Sequence, residues 1–163
     1  MNKIDEQGAY GSTLGSYFRL EAPECVKVDW PERTTFAITR VRSDVGLSGF
    51  TEPVPPGAAV LVNVALRPVA AKDFDHRFNG KAVKTPSVHA FATTVLDARA
   101  NPMCWVRSRF DYLHFHIPYA GLQDIARDYK IAPVDHAAAS QRAGTRGSRG
   151  RVGCTGCEAQ QMG

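Results

Sequence analysis

The stretch FDYLHFHIPYAGLQDIARD, residues 110–128, decides the fold because its hydrophobic period changes in the middle. Its first part, FDYLHFHIP, alternates, so apolar and polar side chains fall on opposite sides of an extended strand. One side carries Leu113, Phe115 and Ile117, and the other carries Tyr112, His114 and His116. Pro118 cannot donate a hydrogen bond to a neighbouring strand, and its fixed φ suits a first helical turn. The pattern therefore predicts a strand that ends at this proline.

The second part of the same stretch predicts an amphipathic helix. Leu122, Ile125, Ala126 and Tyr129 recur at the i, i+3, i+4, i+7 spacing that places side chains on one helical face. Gly121 weakens such a helix by up to about 1 kcal/mol relative to alanine. We expect most of the apolar face to pack on the sheet.

Segments upstream predict further strands joined by turns. Asn79-Gly80 is the favoured pair for a two-residue hairpin turn, in which both residues need positive φ. The segments rich in β-branched or apolar residues are TTFAITRVR (34–42), residues 59–66, apolar apart from Asn63, and VHAFATTVLD (88–97). Because no helix separates them, these strands indicate an antiparallel sandwich or barrel. The predicted fold class is mainly β, with one C-terminal α-helix.

The two ends of the chain lack this patterning. Residues 1–33 are interpreted as a leader and a first loose strand, with residues 1–15 as the loosest part. Residues 34–135 form the predicted domain. Residues 136–163 are rich in Gly, Ala and Arg and contain no aromatic residue, so they cannot bury enough apolar surface to offset chain entropy. We expect this Arg/Gly-rich tail to be disordered.

CTGC, residues 154–157, is a CxxC motif within that tail. A zinc site would need a second ligand pair, and a redox motif would open a helix after a strand. The surrounding sequence offers neither, so we predict no role for the motif.

The net charge of +4 is concentrated near the C-terminus. Residues 137–163 hold four Arg and one acidic residue, which leaves sixteen basic and fifteen acidic residues in residues 1–136. The body therefore has no electrostatic attraction for nucleic acid, and the tail would bind it only weakly and without sequence specificity. No apolar run is long enough to span a membrane or to act as a secretory signal, so we expect a cytoplasmic protein without a membrane partner.

His114 and His116 raise the question of a metal, because an HxH pair on one strand resembles the metal-binding cupins. That family also expects a glycine several residues before the pair and a glutamate a few residues after it. Position 108 is Ser here, and no glutamate follows the pair before the tail. A third ligand would have to come from His76 or His89. We predict no metal and no other cofactor, and the face that bears His114 and His116 either lines a cavity or faces water.

No catalytic motif is apparent. The sequence contains no GxSxG, no HExxH and no phosphate-binding glycine-rich loop. Asp73 and Asp75 flank Phe74 near the predicted hairpin, where such charges usually lie at a solvated edge and discourage association between sheets. We therefore expect a protein that is not an enzyme.

Three segments within residues 34–135 combine these features in a characteristic order. They are RVRSDVGLSGFTEPVPPGAAVLVNVALRPV, FNGKAVKTPSVHAFATTVLDARANPMCWVRSRFD and DYLHFHIPYAGLQDIARD. In this order and spacing they resemble the N-terminal regulatory domain of AraC-type transcriptional regulators. The resemblance implies a cupin-like antiparallel β-sandwich, or jelly roll, that senses a small molecule or mediates dimerisation. We expect the family's DNA-binding domain to have no counterpart here, because the residues after Asp135 lack the pattern of a recognition helix.

The resemblance thus implies a truncated regulator whose effector is an unidentified small molecule, with a homodimer left open and no specific nucleic-acid contact by this chain. If the polar face turns inward, the expected ligand-binding residues are Tyr112, His114 and His116. The alternative is a small metal-dependent cupin enzyme that uses His114 and His116. The abrupt change at about His136 indicates either an out-of-frame translation of a GC-rich gene or a genuine short protein with a basic tail. The DNA sequence downstream of codon 136 separates the two.

Overall fold

The computed structural model describes residues 8–21, 23–30, 34–54, 57–134 and 140–142. These residues form nine β-strands, two α-helices and two short 3-10 turns. In chain order the helices and strands are α1 (Gly11–Phe18), β1 (Cys25–Trp30), β2 (Thr34–Ser43), β3 (Ala59–Ala65), β4 (Phe74–Phe78), β5 (Lys81–Val83), β6 (Thr93–Asp97), β7 (Pro102–Val106), β8 (Phe110–Pro118), α2 (Tyr119–Asp128) and β9 (Ser140–Arg142). Neither of these α-helices is long and apolar enough to cross a membrane.

The strands form two sheets whose pairing is that of a jelly roll. The larger sheet has the order β1-β2-β8-β3-β6-β9 and the smaller one β5-β4-β7. The chain folds back in nested antiparallel pairs, β2 with β8, β3 with β6 and β4 with β5. Residues 47–51 pair with β7 in the same nested pattern, because the Leu47 and Thr51 amides donate to the carbonyls of Val106 and Cys104. Nested pairs in two sheets are the double-sheet jelly roll, so the predicted fold class is confirmed.

Strand β8 lies inside the larger sheet, between β2 and β3. Its predicted alternation is confirmed, and it is the polar side that turns inward. Tyr112, His114 and His116 are 8%, 9% and 8% exposed, whereas the three apolar residues that alternate with them are half-buried on the outer face. The open question of whether this polar face meets water is thus decided by the fold.

The interior between the sheets is otherwise apolar. Side chains from both sheets and from α1 form one buried cluster, which includes Leu14, Phe18, Val41, Leu61, Val69, Val88, Leu96, Val106 and Phe110. Burial of this cluster supplies the hydrophobic stabilisation of the fold.

The outer face of the larger sheet is apolar as well. The register places Val26, Ile38, Phe115, Val62 and Val95 side by side on β1, β2, β8, β3 and β6. Val26 is 64% exposed and Ile38 38%. This outer row is therefore the less protected of the sheet's two faces.

Helix α2 begins directly after β8 and packs on the β2 part of the outer face. A Cβ atom at Gly121 would lie 2.5 Å from Phe36 Cζ, so the glycine allows the close approach of helix and sheet. Ala126 is buried, but Tyr129 is 75% exposed. Tyr129 is therefore the member of the predicted apolar face that does not pack, because the helix ends at Asp128 and Tyr129 forms its C-terminal cap.

Helix α1 corrects the interpretation of the N-terminal residues as a loose leader. Leu14 and Phe18 belong to the main core, and the Gly11 amide donates a 2.7 Å hydrogen bond to Thr39 Oγ1. Tertiary contacts thus stabilise a helix that the Gly and Ser content does not favour. The division of the chain into leader, domain and tail stays a prediction.

Residues 1–7 and most of the predicted disordered tail, including CTGC at residues 154–157, lie outside the described residues. Within the tail, Ser140–Arg142 form β9 and pair with β6. These three residues therefore depart from the prediction of disorder.

The predicted hairpin is confirmed. Asn79 and Gly80 join β4 to β5 with φ values of 48° and 76°, the positive values that a type I′ turn needs. Turn geometry fixes strand register, and so it fixes the side of the smaller sheet on which His76 lies.

Candidate functional site

A row of polar side chains crosses the inner face of the larger sheet. The register places Thr39 beside His114, His114 beside Asn63 and Asn63 beside Thr94, on β2, β8, β3 and β6. On these four strands the rows on either side are apolar apart from Tyr112 and His116, and they contain Ala37, Val41, Leu61, Ala65 and Leu96. Polar groups within an apolar layer cost free energy unless they find partners. Thr39 has a partner in the Gly11 amide, so it is the other three residues of the row, all at the cavity between the two sheets, that indicate a site.

The smaller sheet places two more polar side chains opposite this row. His76 on β4 is in register with Cys104 on β7. Together with His114 and Asn63 they line a cavity of about 70 Å³ between the two sheets. Phe18 of α1 also lines the cavity, with its ring centroid 5.3 Å from that of His114. Both sheets and the N-terminal helix thus contribute to one site.

Two polar atoms at the cavity have no hydrogen-bond partner among the described residues. They are the Tyr112 hydroxyl and Asn63 Oδ1, and both residues line the cavity. A buried polar group left unpaired costs about 1–3 kcal/mol. A bound molecule that supplied the missing partners would offset this cost, so these two atoms point to a ligand.

The cavity carries no charge at neutral pH. No Asp, Glu, Lys or Arg side chain in the described ranges lines it. Burial lowers the pKa of His76 to about 4 and that of His114 to about 4, so both imidazoles are neutral near pH 7. Burial also raises the pKa of the Tyr112 hydroxyl and raises that of the Cys104 thiol to about 12, so both groups keep their protons.

His116 does not line this cavity. Its ring lies 5.0 Å from that of Tyr10, and a Cβ atom at Gly8 would lie 2.8 Å from its imidazole. Its Nδ1 is buried without a hydrogen-bond partner in the described part of the chain, and burial lowers its pKa. Of the three predicted ligand-binding residues, the structure brings Tyr112 and His114 to the cavity and places His116 under the N-terminal segment. Their binding role stays a prediction.

The residues that the structure describes contain no group of three His, Cys, Asp or Glu side chains that could hold a metal ion. His76, one of the two candidates for a third ligand, lines the cavity with His114, whereas His89 is exposed. A metal-dependent enzyme needs at least three converging protein ligands. The described side chains do not fit that requirement, and the predicted absence of a metal stays a prediction.

Sequence reasoning missed Asn63, Thr94 and Cys104 as members of the site. Asn63 did carry a signal, since it is the polar residue in the otherwise apolar segment 59–66. Thr94 carried none, because threonine is common in strands for its β-branched shape. Cys104 reaches the site only through the pairing of β7 with β4, which local sequence does not specify.

A larger cleft of about 310 Å³ lies between the end of α1 and residues 45–51. Arg19 at this cleft is ion-paired with Glu52 at 3.0 Å, and both side chains are about half exposed. No buried unpaired polar atom of the described residues lines it. We therefore assign the candidate site to the cavity between the sheets.

Comparisons with known proteins find only a remote structural similarity for this chain. No protein-family model matches the sequence, and no curated protein matches it. Among solved structures, a Cupin 2 conserved barrel domain protein from Salinispora arenicola CNS-205 is similar, at 10% sequence identity and a TM-score of 0.42. That match covers 78% of this chain and 96% of the other. A TM-score this low carries no argument, so the jelly roll rests on this chain's own strand pairing.

Proposed function

We propose that this chain is the ligand-sensing domain of an AraC-type transcription regulator and that its effector binds in the cavity between the two sheets. The observation that carries the proposal is the pair of unpartnered polar atoms there, the Tyr112 hydroxyl and Asn63 Oδ1. A few placed polar groups within apolar walls are typical of small-molecule sites. Tyr112, His114 and Asn63 are the residues to which we assign binding.

The chemistry of the cavity supports binding over catalysis. General acid–base catalysis is most efficient when the pKa of the catalytic group lies near the working pH. His76 and His114, with pKa values of about 4, and Cys104, with a pKa of about 12, lie far from neutrality. Groups that neither take up nor release protons near pH 7 serve better as fixed hydrogen-bonding partners.

The regulatory part of the proposal is supported by the resemblance of three segments to AraC-type regulators. The third of these segments forms β8 and α2, and the first contains the end of β2, the 47–51 segment and β3. In that family such a sandwich senses a small molecule or mediates dimerisation. A homodimer therefore belongs to the same proposal, and sedimentation equilibrium of the full chain measures it.

A thermal-shift screen of the full chain tests for the effector. Sugars, amino acids, amides, alcohols and small aromatic molecules are screened against the wild type, Tyr112→Phe and Asn63→Leu. A cavity ligand raises the melting temperature of the wild type and has a smaller effect on both variants. Tyr129→Phe is the matched control, because Tyr129 is exposed and does not line the cavity. Equal stabilisation of all four proteins would place binding elsewhere and contradict the proposal.

The molecule found in this way then tests the regulatory role. Transcripts of the source cell are measured with and without the molecule, in the presence and absence of the gene. Transcripts that respond to the molecule only when the gene is present support a sensor. Conversion of the molecule by the purified chain, lost on mutation of His114 and His116 and dependent on added metal, would instead favour the metal-dependent enzyme.

A further inference from the structure

We infer that the molecule bound between the sheets is uncharged, places a part of about the size of acetamide in the cavity and carries at least one N–H or O–H group there. The inference rests on the proposed function, because it specifies the ligand of the same cavity. Three properties of the cavity lead to it: the absence of charge, an unpaired acceptor and the volume.

A charged ligand would find no opposite charge in this cavity. No ionic side chain of the described residues lines it. The ion pair between Arg40 and Asp111, at 2.7 Å, belongs to the outer face, because Asp111 is out of phase with Tyr112 and His114 along β8. An ion that leaves water for such a site loses its hydration without a compensating partner. Carboxylates, phosphates and ammonium compounds are therefore poor ligands.

The unpaired acceptor sets the hydrogen-bonding pattern of the ligand. Asn63 Oδ1 can only accept, so the ligand has to donate a proton to it. The Tyr112 hydroxyl can donate or accept. A molecule with a donor and an acceptor on neighbouring atoms, such as a primary amide, can pair both. A pure acceptor, such as a ketone, can pair Tyr112 but leaves Asn63 unsatisfied.

The volume limits the part of the ligand that lies within the cavity. The space open to a small molecule there is about 70 Å³. Acetamide and urea are small enough to enter it, and a larger ligand would extend through its open side. Phe18, Val88 and Val106 provide the apolar part of the lining and can contact a methyl group.

Acetamide, acetone and acetate form a matched set of probes for the full chain. All three are planar molecules of similar shape. Acetamide has a hydrogen-bond donor, acetone has none, and acetate carries a negative charge. Each is titrated while the backbone amide resonances are followed by NMR. Ligands this small bind with dissociation constants on the order of millimolar.

We expect acetamide to shift the resonances of Asn63, Tyr112 and His114 saturably. Acetone should bind about five- to tenfold more weakly, which corresponds to the loss of one hydrogen bond. Acetate should leave these resonances unchanged at the same concentrations. Asn63→Leu should reduce acetamide to the affinity of acetone while leaving acetone unchanged, and Tyr129→Phe should change neither. The wild-type series decides the question even if Asn63→Leu does not fold.

Two results would overturn the inference. Acetate binding in the cavity as tightly as acetamide would show that charge is accepted, and the sensor proposal would survive. No cavity response to acetamide would show that the site holds only water or a molecule of another class. The sensor proposal would then fall only if the wider thermal-shift screen also found no ligand that depends on Tyr112 and Asn63.

Discussion

Two rows of side chains on the larger sheet, one residue apart along each strand, have opposite chemistry. The inner row is Thr39, His114, Asn63 and Thr94, and the outer row is Val26, Ile38, Phe115, Val62 and Val95. In most sandwiches apolar residues face inward and polar residues face water, because burial of apolar surface stabilises the fold. The reversal teaches that the unpaired Asn63 amide oxygen of the inner row lowers stability, so the neighbouring apolar rows and α1 have to hold the two sheets together.

Acid should produce the largest effect, because it charges the buried histidines. His76 and His114 have pKa values of about 4 in the folded chain against 6.5 as the ordinary value. The unfolded state therefore binds more protons between these pH values. As the pH decreases, the free energy of unfolding falls by at most about 1.4 kcal/mol per pH unit for each histidine. Stability is full above about pH 6.5 and is lost progressively down to about pH 4.

Urea unfolding between pH 7 and pH 5 measures this slope. His114→Phe should remove the contribution of one histidine, whereas His89→Phe, at an exposed position, should leave the slope unchanged. Equal slopes in the wild type and both variants would mean that His114 is not buried in a neutral state.

Truncation of the apolar row beside the polar one should have the next largest effect. Leu61 is 3% exposed, and Leu61→Ala should lower the free energy of unfolding by about 2–5 kcal/mol through lost burial and a new cavity. Val26→Ala on the exposed outer row should change it by less than about 0.5 kcal/mol. Both values come from urea unfolding at neutral pH. A comparable loss in Val26→Ala would show that the outer row is packed against a partner in solution.

The strand–helix unit could be predicted from the sequence because its signals are local. The period of two in β8, the fixed φ of Pro118 and the spacing of Leu122, Ile125 and Ala126 each depend on adjacent residues. The Asn79-Gly80 turn is equally local, since only the φ values of two residues matter.

The sidedness of β8 and the existence of α1 could not be predicted in the same way. An alternating pattern is the same whichever face turns inward, and the second sheet decides between the two. Helix α1 depends on Leu14 and Phe18, whose partners in the core, such as Phe110 on β8, are distant in sequence. Two apolar residues in a segment otherwise rich in Gly and Ser do not predict a helix.

The site could be predicted only in part, for the same reason. Tyr112 and His114 share a face on one strand, so local alternation identifies them together. His76 and Cys104 come from a different sheet and meet them only through the pairing of β4 with β7. His116 shares the face as well, yet Tyr10 covers it, and nothing in the local sequence of β8 indicates that contact.

Replacement of the unpaired amide should stabilise the ligand-free chain. Asn63→Leu keeps the size of the side chain and removes a buried acceptor without a partner, so the free energy of unfolding should rise by about 1 kcal/mol. Asn79→Leu is the contrasting control, because Asn79 has a φ of 48° and leucine is strained there. Urea unfolding without added ligand measures both. A loss of stability in Asn63→Leu would mean that the amide serves the fold.

The smallest effect, and the one with the sharpest contrast, should come from removing single tyrosine hydroxyls. Tyr112→Phe deletes a buried hydroxyl without a described partner, while the ring contacts with Phe110 and His114 stay. Stability should therefore be unchanged or rise by less than about 1 kcal/mol. Tyr119→Phe makes the same chemical change where the hydroxyl donates to Asp97 Oδ2 at 2.8 Å, and it should lower stability by about 1.5–3 kcal/mol.

Opposite signs for the two tyrosines would separate a hydroxyl kept for a ligand from one kept for the fold. A loss in Tyr112→Phe as large as that in Tyr119→Phe would show that the fold already pairs the Tyr112 hydroxyl. The Tyr112 hydroxyl would then serve the fold, and of the two unpaired atoms only Asn63 Oδ1 would still point to a ligand at the cavity.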